Sequence, residues 1–257
     1  MNIYDIAKEA GVSISTVSRV LNDKGYVSAK TKARIQEVLK RNKYQPSAIA
    51  RGLVSGTMKN VAIVTVDVRH PHYAMTTFIM EQKLTGLGYM VLVCNTGAKK
   101  EECMKYLRML SRNQVEGVIL VGSEFNELCD PDELSQLLPE TPIVMANGEL
   151  KLPSVQSILV DEGYGVQLAV QHLYDRGHRN ISFVMDTQKD AAVRKRNGFL
   201  MKMKQFGYDD AKERILYTGY GVEGGEQAAK QIVGDARRYD AAIFTEDLTA
   251  IYAMNTL

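Results

Sequence analysis

A row of small polar side chains and a single arginine follows the tight turn Gly11-Val12-Ser13. Hydroxyl and guanidinium groups hydrogen-bond the base edges and phosphates of DNA, and a short aliphatic side chain packs against a thymine methyl group. The residues that carry these groups here are Ser13, Ile14, Ser15, Thr16, Ser18 and Arg19. Such an inventory is typical of a helix that lies in a major groove, so the stretch predicts contact with double-stranded DNA.

Two short helices must hold that row in place. The apolar spacing predicts helices over Ile3–Ala10 and Ile14–Leu21 that meet at a sharp corner. Ser13 stands where its hydroxyl can accept a hydrogen bond from the Thr16 N–H and so cap the second helix. A third helix is expected from Ser28 to about Asn42. The side chains expected inside this small bundle are Ile6, Ala7, Ala10, Val12, Val17, Val20, Leu21, Ile35, Val38 and Leu39.

The segments YDIAKEAGVSISTVSRVLN and VSAKTKARIQEVLKRNKYQPSAIARGL resemble the N-terminal headpiece of the LacI (lactose-repressor) family of bacterial transcription regulators. The resemblance implies a sequence-specific regulator, most often a repressor, that binds a near-palindromic operator as a homodimer. It also implies that Asn22, Ser28, Thr31 and Tyr44 lie near the DNA backbone.

The segment Ser47–Leu53 is expected to act as a hinge. Its seven residues include Gly52 and cannot hold a helix alone in water, because nucleation is costly and glycine adds roughly 1 kcal/mol against it. In the family that it resembles, this segment becomes helical when two subunits pair over the operator. The resemblance implies that Leu53 wedges into the minor groove and kinks the DNA, while Ala50 faces its partner. A flexible linker is the alternative.

From Asn60 onward, short apolar runs alternate with helical patterns. Continuous apolar strands separated by helices indicate parallel sheets buried on both faces. Strands are predicted at 61–66, 90–94, 117–121, 142–146, 157–160, 181–185, 215–218 and 241–244, and helices at 76–87, 101–113, 162–176, 189–206 and 226–236. The predicted fold class is an all-α helix-turn-helix headpiece followed by an α/β core of two doubly wound parallel-sheet subdomains. The expected divisions are a headpiece at 1–45, a hinge segment and linker at 46–59, a first subdomain at 60–160 and a second at 161–257.

Polar side chains cluster just after these strands, where open parallel sheets bind ligands. Residues 60–257 resemble the sugar- or purine-sensing core of the same family, which is similar to periplasmic sugar-binding proteins. The resemblance implies that a small-molecule effector binds between the subdomains, with Tyr73 and Tyr220 packed against it. The expected effector-binding residues are Asp67, Arg69, His72, Tyr73, Ser123, Asn147, Asp161, Arg194, Lys195, Tyr220 and Glu246.

Two of these positions depart from the family pattern. Lys195 stands where the family usually has a ligand-binding arginine, and Arg194 is the alternative by a shift of one residue. Glu246 stands where many relatives have asparagine. These departures leave the identity of the effector open. The family's core also continues past the position of Leu257, so the second subdomain is expected to be incomplete.

The charge distribution agrees with this division. Residues 1–56 carry a net charge of +6 and residues 57–257 a net charge of −4, so the excess positive charge that attracts a polyanion lies in the headpiece. With no apolar run that could span a bilayer and no leader at Met1, we expect a cytoplasmic protein without a membrane partner. Cys94, Cys103 and Cys129 lack CxxC spacing and predict neither a zinc site nor a disulfide framework.

A glycine-rich loop supports a competing, enzymatic interpretation. Gly219, Gly221 and Gly224 satisfy GxGxxG after a predicted strand, and Glu246 follows at a distance that would suit a ribose contact in an NAD-dependent enzyme. Against this interpretation, Glu223 would place a negative charge beside the pyrophosphate, and no acid–base constellation accompanies the loop.

Two further alternatives have little support. His70 and His72 could bind a metal, but no third ligand shares their spacing. A DNA-compacting protein without sequence preference would need a larger basic excess and no sensing core. The sequence therefore predicts an effector-controlled DNA-binding regulator without cofactor, metal or catalytic residues.

Overall fold

The computed structural model describes residues 2–23, 25–44, 57–235 and 237–257. The chain divides into two compact units, residues 1–60 with 88–90 and residues 61–87 with 91–257. The helices are α1 (Ile3–Ala10), α2 (Ile14–Leu21), α3 (Ala29–Arg41), α4 (Pro71–Gly86), α5 (Lys100–Arg112), α6 (Phe125–Leu128), α7 (Pro131–Leu137), α8 (Glu162–Asp175), α9 (Asp190–Gln205), α10 (Gly221–Gly234) and α11 (Asp247–Thr256). The strands are β1 (Asn60–Thr65), β2 (Met90–Asn95), β3 (Gly117–Val121), β4 (Ile143–Ala146), β5 (Val155–Ile158), β6 (Ile181–Met185), β7 (Ile215–Tyr217) and β8 (Ala241–Phe244). Within the described ranges, no helix is both long enough and apolar enough to cross a bilayer.

The three helices of the first unit begin and end close to where the sequence predicts. The Asn2 side chain and the Asp5 carboxylate form a capping box at the start of α1, and Gly11 ends that helix with a φ of +60°. The Ser13 hydroxyl accepts a hydrogen bond from the Thr16 N–H at 3.3 Å, which confirms the predicted cap of α2. Because these caps satisfy backbone groups that would otherwise lack partners, they fix the corner between α1 and α2.

The interior of this bundle is also the one expected from the apolar spacing. Its fully buried side chains are Ile6, Ala7, Ala10, Val17, Ile35 and Val38, and Val12, Val20, Leu21 and Leu39 pack against them. With this face of α2 buried, the opposite face is left for another partner.

The first sheet of the second unit has five strands in the order β2-β1-β3-β4-β5. The β1–β3, β3–β4 and β4–β5 pairs are parallel, and β1 is buried along its whole length. A continuous cluster of buried apolar side chains covers the sheet, including Leu107, Leu120 and Phe125. The carboxyl ends of these strands therefore meet at one edge, as in other doubly wound sheets.

The second sheet has three parallel strands in the order β7-β6-β8. Its core includes the stacked rings of Phe183 and Phe199, with centroids 5.1 Å apart. Helices α8 and α9 approach closely at Gly163 and Gly198, where a Cβ added to Gly198 would lie 2.8 Å from the Gly163 Cα. This contact sets the position of the residues that flank both glycines.

All eight predicted strands are present, but one of them is displaced. The predicted strand 157–160 is observed as β5 at Val155–Ile158, and the apolar Leu159 and Val160 after it are exposed. Four helical elements are not predicted from the sequence, namely α6, α7, α11 and the 3₁₀ helix Ala211–Arg214. Helices α6 and α7 have four and seven residues and are too short to show a repeating apolar pattern.

Candidate functional sites

The outer face of α2 presents the polar row predicted from the sequence. Ser13, Ser15 and Arg19 are exposed, and 39% of the Ile14 surface is accessible. The Ser13 hydroxyl also lies 2.8 Å from the hydroxyls of both Ser15 and Thr16. The three hydroxyls thus form one linked group at the start of the helix, where the helix dipole also favours phosphate.

Arg19 lies in the last turn of α2, and its side chain passes along Gly25. A Cβ added to Gly25 would lie 3.5 Å from the Arg19 Cδ. Among the described residues, no carboxylate forms an ion pair with Arg19, so its guanidinium is free to bind an external acceptor. The neighbouring Asn22 donates from Nδ2 to the Ser18 carbonyl oxygen at 2.9 Å and to the Ser18 hydroxyl at 3.3 Å.

The other predicted DNA-contacting residues have mixed environments. Ser28 is exposed and caps α3 by accepting from the Thr31 N–H at 3.3 Å, while the Tyr44 side chain packs against the headpiece core. Ala50 and Leu53 lie outside the described residues. Tyr26, which is 90% exposed in the loop after α2, is not among the residues predicted to contact DNA.

A cavity of about 640 Å³ lies in the second unit, at the carboxyl ends of strands from both sheets. This volume is in the range of small-molecule binding sites. Eight of the predicted effector-binding residues line it, namely Asp67, His72, Tyr73, Ser123, Asn147, Lys195, Tyr220 and Glu246. The cavity is therefore assembled from several segments that are distant in sequence and that the strand ends bring together.

Three predicted residues do not line the cavity, because each is held by another group. The exposed Arg69 side chain forms two hydrogen bonds with the Asp67 carboxylate, at 2.9 and 2.8 Å. Asp161 caps α8 by accepting from the Tyr164 N–H at 2.8 Å. Arg194 donates from Nε to Glu162 at 3.0 Å, so Lys195 and not Arg194 is the basic residue that reaches the cavity from this part of α9.

An aromatic group spans the cavity. The His70 ring lies between Tyr73 and Tyr220, with centroid distances of 5.3 and 5.6 Å, and its Nε2 lies 3.8 Å from Glu246. His70 is absent from the predicted binding residues, although it directly precedes the proline that begins α4. Rings in this arrangement offer an apolar surface to a flat or ring-shaped ligand.

The lining of the cavity is rich in carboxylates. It contains six carboxylates and two lysines; the acidic residues are Asp67, Glu124, Glu162, Asp186, Glu246 and Asp247, and the basic ones are Lys189 and Lys195. Hydrogen bonds from Arg69 hold the pKa of Asp67 at about 2, so this carboxylate is ionised at neutral pH. The cavity therefore carries an excess of negative charge.

Burial raises the pKa values of two side chains that line the cavity, Tyr73 and Glu246. Burial and the neighbouring Glu124 carboxylate raise the pKa of Tyr73, whose hydroxyl donates to Glu124 at 2.8 Å. Burial likewise raises the pKa of Glu246, and the nearby Lys195 partly opposes that shift. The phenol of Tyr73 consequently stays protonated and acts as a hydrogen-bond donor.

Side chains that follow β3 also bind side chains at the start of α9 beside the cavity. Lys189 donates to Glu124 at 3.3 Å, and the Asn126 side chain donates to Asp190 at 3.0 Å. These contacts link the loop after β3 with the start of α9.

Asn147 provides an unused acceptor in the cavity lining. Its backbone has a φ of +63°, a left-handed conformation that asparagine tolerates better than most residues. Its Nδ2 donates to Glu162 at 3.0 Å, whereas its buried Oδ1 has no hydrogen-bond partner among the described residues. Buried polar atoms normally have partners, so among the described residues the Asn147 Oδ1 is an exception.

The glycine-rich loop between β7 and α10 has a packing role in this structure. A Cβ on Gly224 would overlap the carbonyl group of Gly219. Glycine at position 224 is therefore required for α10 to pack against the loop that precedes it. Tyr220, the N-cap residue of α10, lines the cavity.

Comparisons with known proteins agree with this architecture. The family model described as bacterial regulatory proteins of the lacI family matches residues 2–47. The model described as periplasmic binding proteins and sugar binding domain of the LacI family matches residues 58–256. Together these two matches cover almost the whole chain.

Individual relatives lead to the same family. An HTH-type transcriptional regulator of Lachnoclostridium phytofermentans is 32% identical over 253 residues, which cover 98% of this chain and 76% of the relative. The HTH-type transcriptional repressor PurR of Mannheimia succiniciproducens is 28% identical over 256 residues, or 99% of this chain and 76% of the relative. A solved lac repressor dimer bound to operator and the anti-inducer ONPF aligns with a TM-score of 0.81 at 21% identity, covering 100% of this chain and 77% of that one, so it shares the fold. None of these comparisons supports the interpretation of the chain as an NAD-dependent enzyme. The chain therefore belongs to the LacI family of bacterial regulatory proteins, with a helix-turn-helix headpiece and a periplasmic-binding-protein-like core.

Proposed function

We propose that this chain is a cytoplasmic, effector-controlled repressor without enzymatic activity, which binds a near-palindromic operator as a homodimer. The observation that carries the proposal is the outer face of α2, where the hydroxyl that caps the helix is exposed together with Arg19, which forms no ion pair with a described carboxylate, while the opposite face is buried. In this proposal the headpiece occupies residues 1–45, the hinge and linker 46–59, and the two core subdomains 60–160 and 161–257.

The role of Arg19 can be tested on DNA. An operator is first selected from random duplexes with the wild-type protein, and binding of Arg19→Ala is then compared with binding of Arg112→Ala, an exposed arginine of the core. Loss of a base contact should cost Arg19→Ala about 1–3 kcal/mol and relax specificity at one operator position. Arg112→Ala should bind like wild type. An unchanged footprint for Arg19→Ala would refute the base-reading role.

The proposed dimer uses an apolar face of the first core subdomain. Met75, Phe78 and Ile79 lie three and four residues apart on α4 and are exposed, and Val93 is exposed on the edge strand β2. Residues at this spacing share one helix face, and large exposed apolar patches mark association surfaces. A second copy of the chain would bury them.

Sedimentation can test this surface. Phe78→Glu should convert the dimer to a monomer, because a carboxylate would be buried without a partner. Met201→Glu, which alters an exposed methionine on α9, should leave the dimer intact. If both variants sediment like wild type, the dimer uses another surface.

The proposed effector is a hydroxyl-rich ring compound without negative charge. Tyr73, His70 and Tyr220 would pack against its apolar face, while cavity carboxylates would accept its hydrogen bonds. The Asn147 Oδ1, which has no partner among the described residues, would accept another once its neighbours shift to expose it. The excess of carboxylates would repel sugar acids and sugar phosphates. Uncharged sugars, amino sugars and sugar acids can be compared by thermal shift, because tight binding raises the melting temperature. Stabilisation by sugar acids alone would refute the charge argument.

Effector binding would act on DNA affinity through the hinge. A ligand that favours one arrangement of the core by a few kcal/mol is sufficient to shift the helix–coil balance of short segments.

A further inference from the structure

Two buried cysteines meet in the first core subdomain and have no part in the function proposed above. The Sγ atoms of Cys103, on α5, and Cys129, directly after α6, lie 3.5 Å apart. Cys103 is 0% exposed and Cys129 is 3% exposed. Cys94 is equally buried, but among the described residues its sulfur forms no hydrogen bond with another cysteine.

The geometry suits bond formation between the two sulfurs. A disulfide has an S–S distance of about 2.05 Å, so the two atoms must approach by roughly 1.5 Å. Cys129 lies between α6 and α7 in an extended conformation, with φ of −98° and ψ of +126°, where its side chain is not fixed within a helix. One thiol hydrogen-bonds to the other sulfur, which lowers the pKa of Cys103 and raises that of Cys129. Cys103 is therefore the sulfur that more readily forms the nucleophilic thiolate.

The segment that contains Cys129 also reaches the cavity. Ser123 and Glu124 line the cavity, Phe125 is fully buried in the same core as both cysteines, and Asn126 donates to Asp190 of the second subdomain. Cys129 is thus only a few residues along the chain from the cavity lining and from the contact between Asn126 and Asp190.

We propose that Cys103 and Cys129 form a reversible intrachain disulfide on exposure to a peroxide, and that this bond alters the segment 123–129 at the edge of the cavity. The Cys103 thiolate attacks one oxygen of hydrogen peroxide and becomes a sulfenic acid as hydroxide leaves. Cys129 then attacks the Cys103 sulfur, the S–S bond forms, and the sulfenic oxygen leaves as water. In total, two thiols and one hydrogen peroxide give one disulfide and two waters. Hydrogen peroxide is small enough to reach a buried thiol during local opening.

Peptide mapping tests bond formation in the full chain. After treatment with hydrogen peroxide, the protein is denatured, its free thiols are alkylated, and its peptides are weighed before and after dithiothreitol. The expected product links Cys103 to Cys129, leaves Cys94 alkylated, and is reversed by dithiothreitol. The Cys94→Ser control should give the same product, and both Cys103→Ala and Cys129→Ala should abolish it. Alkylation of all three cysteines after oxidation, or linkage through Cys94, would overturn the proposal.

Hydrogen exchange tests the effect on the cavity, which is the part that rests on the proposed function. Amides of residues 123–128 should exchange at different rates in the oxidised and reduced protein, and the difference should be absent in Cys103→Ala. Equal exchange in both forms would overturn the coupling. Because the disulfide is detected without DNA or effector, the peptide-mapping result stands even if the proposed repressor function is wrong.

Discussion

Replacing Gly198 with alanine should destabilise the second unit, although alanine is the better helix former. The added Cβ would lie 2.8 Å from the Gly163 Cα and closer still to the Gly163 carbonyl group. Carbon atoms pack favourably at about 3.5–4.0 Å, so α8 and α9 must separate by roughly 1 Å. Overpacking of this kind costs about 1–3 kcal/mol.

The expected change can be stated as a melting temperature. For a unit of this size, 1 kcal/mol corresponds to about 2–4 °C, so Gly198→Ala should melt roughly 2–12 °C below wild type. Gly165 on α8 provides a matched control, since a Cβ there would meet nothing within 4 Å. Gly165→Ala should gain about 0.5–1 kcal/mol, because glycine in a helix is entropically unfavourable.

Calorimetry of the full chain would measure both variants. Separation of the helices should also disturb the hydrogen bond between Glu162, next to Gly163, and Arg194, one turn before Gly198. Because Glu162 lines the cavity, ligand binding there should weaken. The reasoning is refuted if Gly198→Ala melts at or above the wild-type temperature, or if the two alanine variants shift in the same direction.

Three further outcomes are expected. Ser13→Ala should cost about 1 kcal/mol, because the Thr16 N–H loses its acceptor, and circular dichroism should show earlier melting of the headpiece; an unchanged melt would contradict the cap. Since burial raises the pKa of Glu246, the folded state is favoured when this carboxyl group is protonated. That contribution to the free energy of unfolding is complete below the pKa of the unfolded state and is lost as pH rises through the pKa of the folded state. Glutamine resembles the protonated form at every pH, so Glu246→Gln should melt above wild type at neutral pH and at the same temperature as wild type in acid. A lower melting temperature for the variant at neutral pH would count against the raised pKa. Addition of NAD should leave the melting temperature of the protein unchanged, whereas a higher melting temperature would support the alternative of an NAD-dependent enzyme.

The headpiece could be predicted from sequence in detail because its signals are local. Ser13 and Ser28 cap helices whose apolar spacing is regular, and both caps are present in the structure. The displaced β5 shows the limit of this approach, since Leu159 and Val160 are as apolar as strand residues but lie exposed beyond the strand.

The cavity could be predicted only in part. Strand ends locate its edge, but sequence does not reveal which basic side chain a nearby carboxylate will bind. In the structure, Asp67 binds Arg69 and Glu162 binds Arg194, while Lys195 reaches the cavity. None of these pairings follows from the sequence. Contacts such as that between Cys103 and Cys129 depend on packing between helices and cannot be read from spacing along the chain.

The position of Arg19 against Gly25 has a consequence for the thermodynamics of operator binding. An arginine that runs along a neighbouring loop samples fewer rotamers before the complex forms, so less conformational entropy is lost when its guanidinium meets an acceptor. Any other residue at position 25 would be strained by the φ of +76°, and a shift of the loop that relieved this strain would remove the contact with Arg19 and raise that entropic cost. Affinity for the operator can thus be tuned from a loop residue outside the recognition helix, without any change in the groups that read the bases.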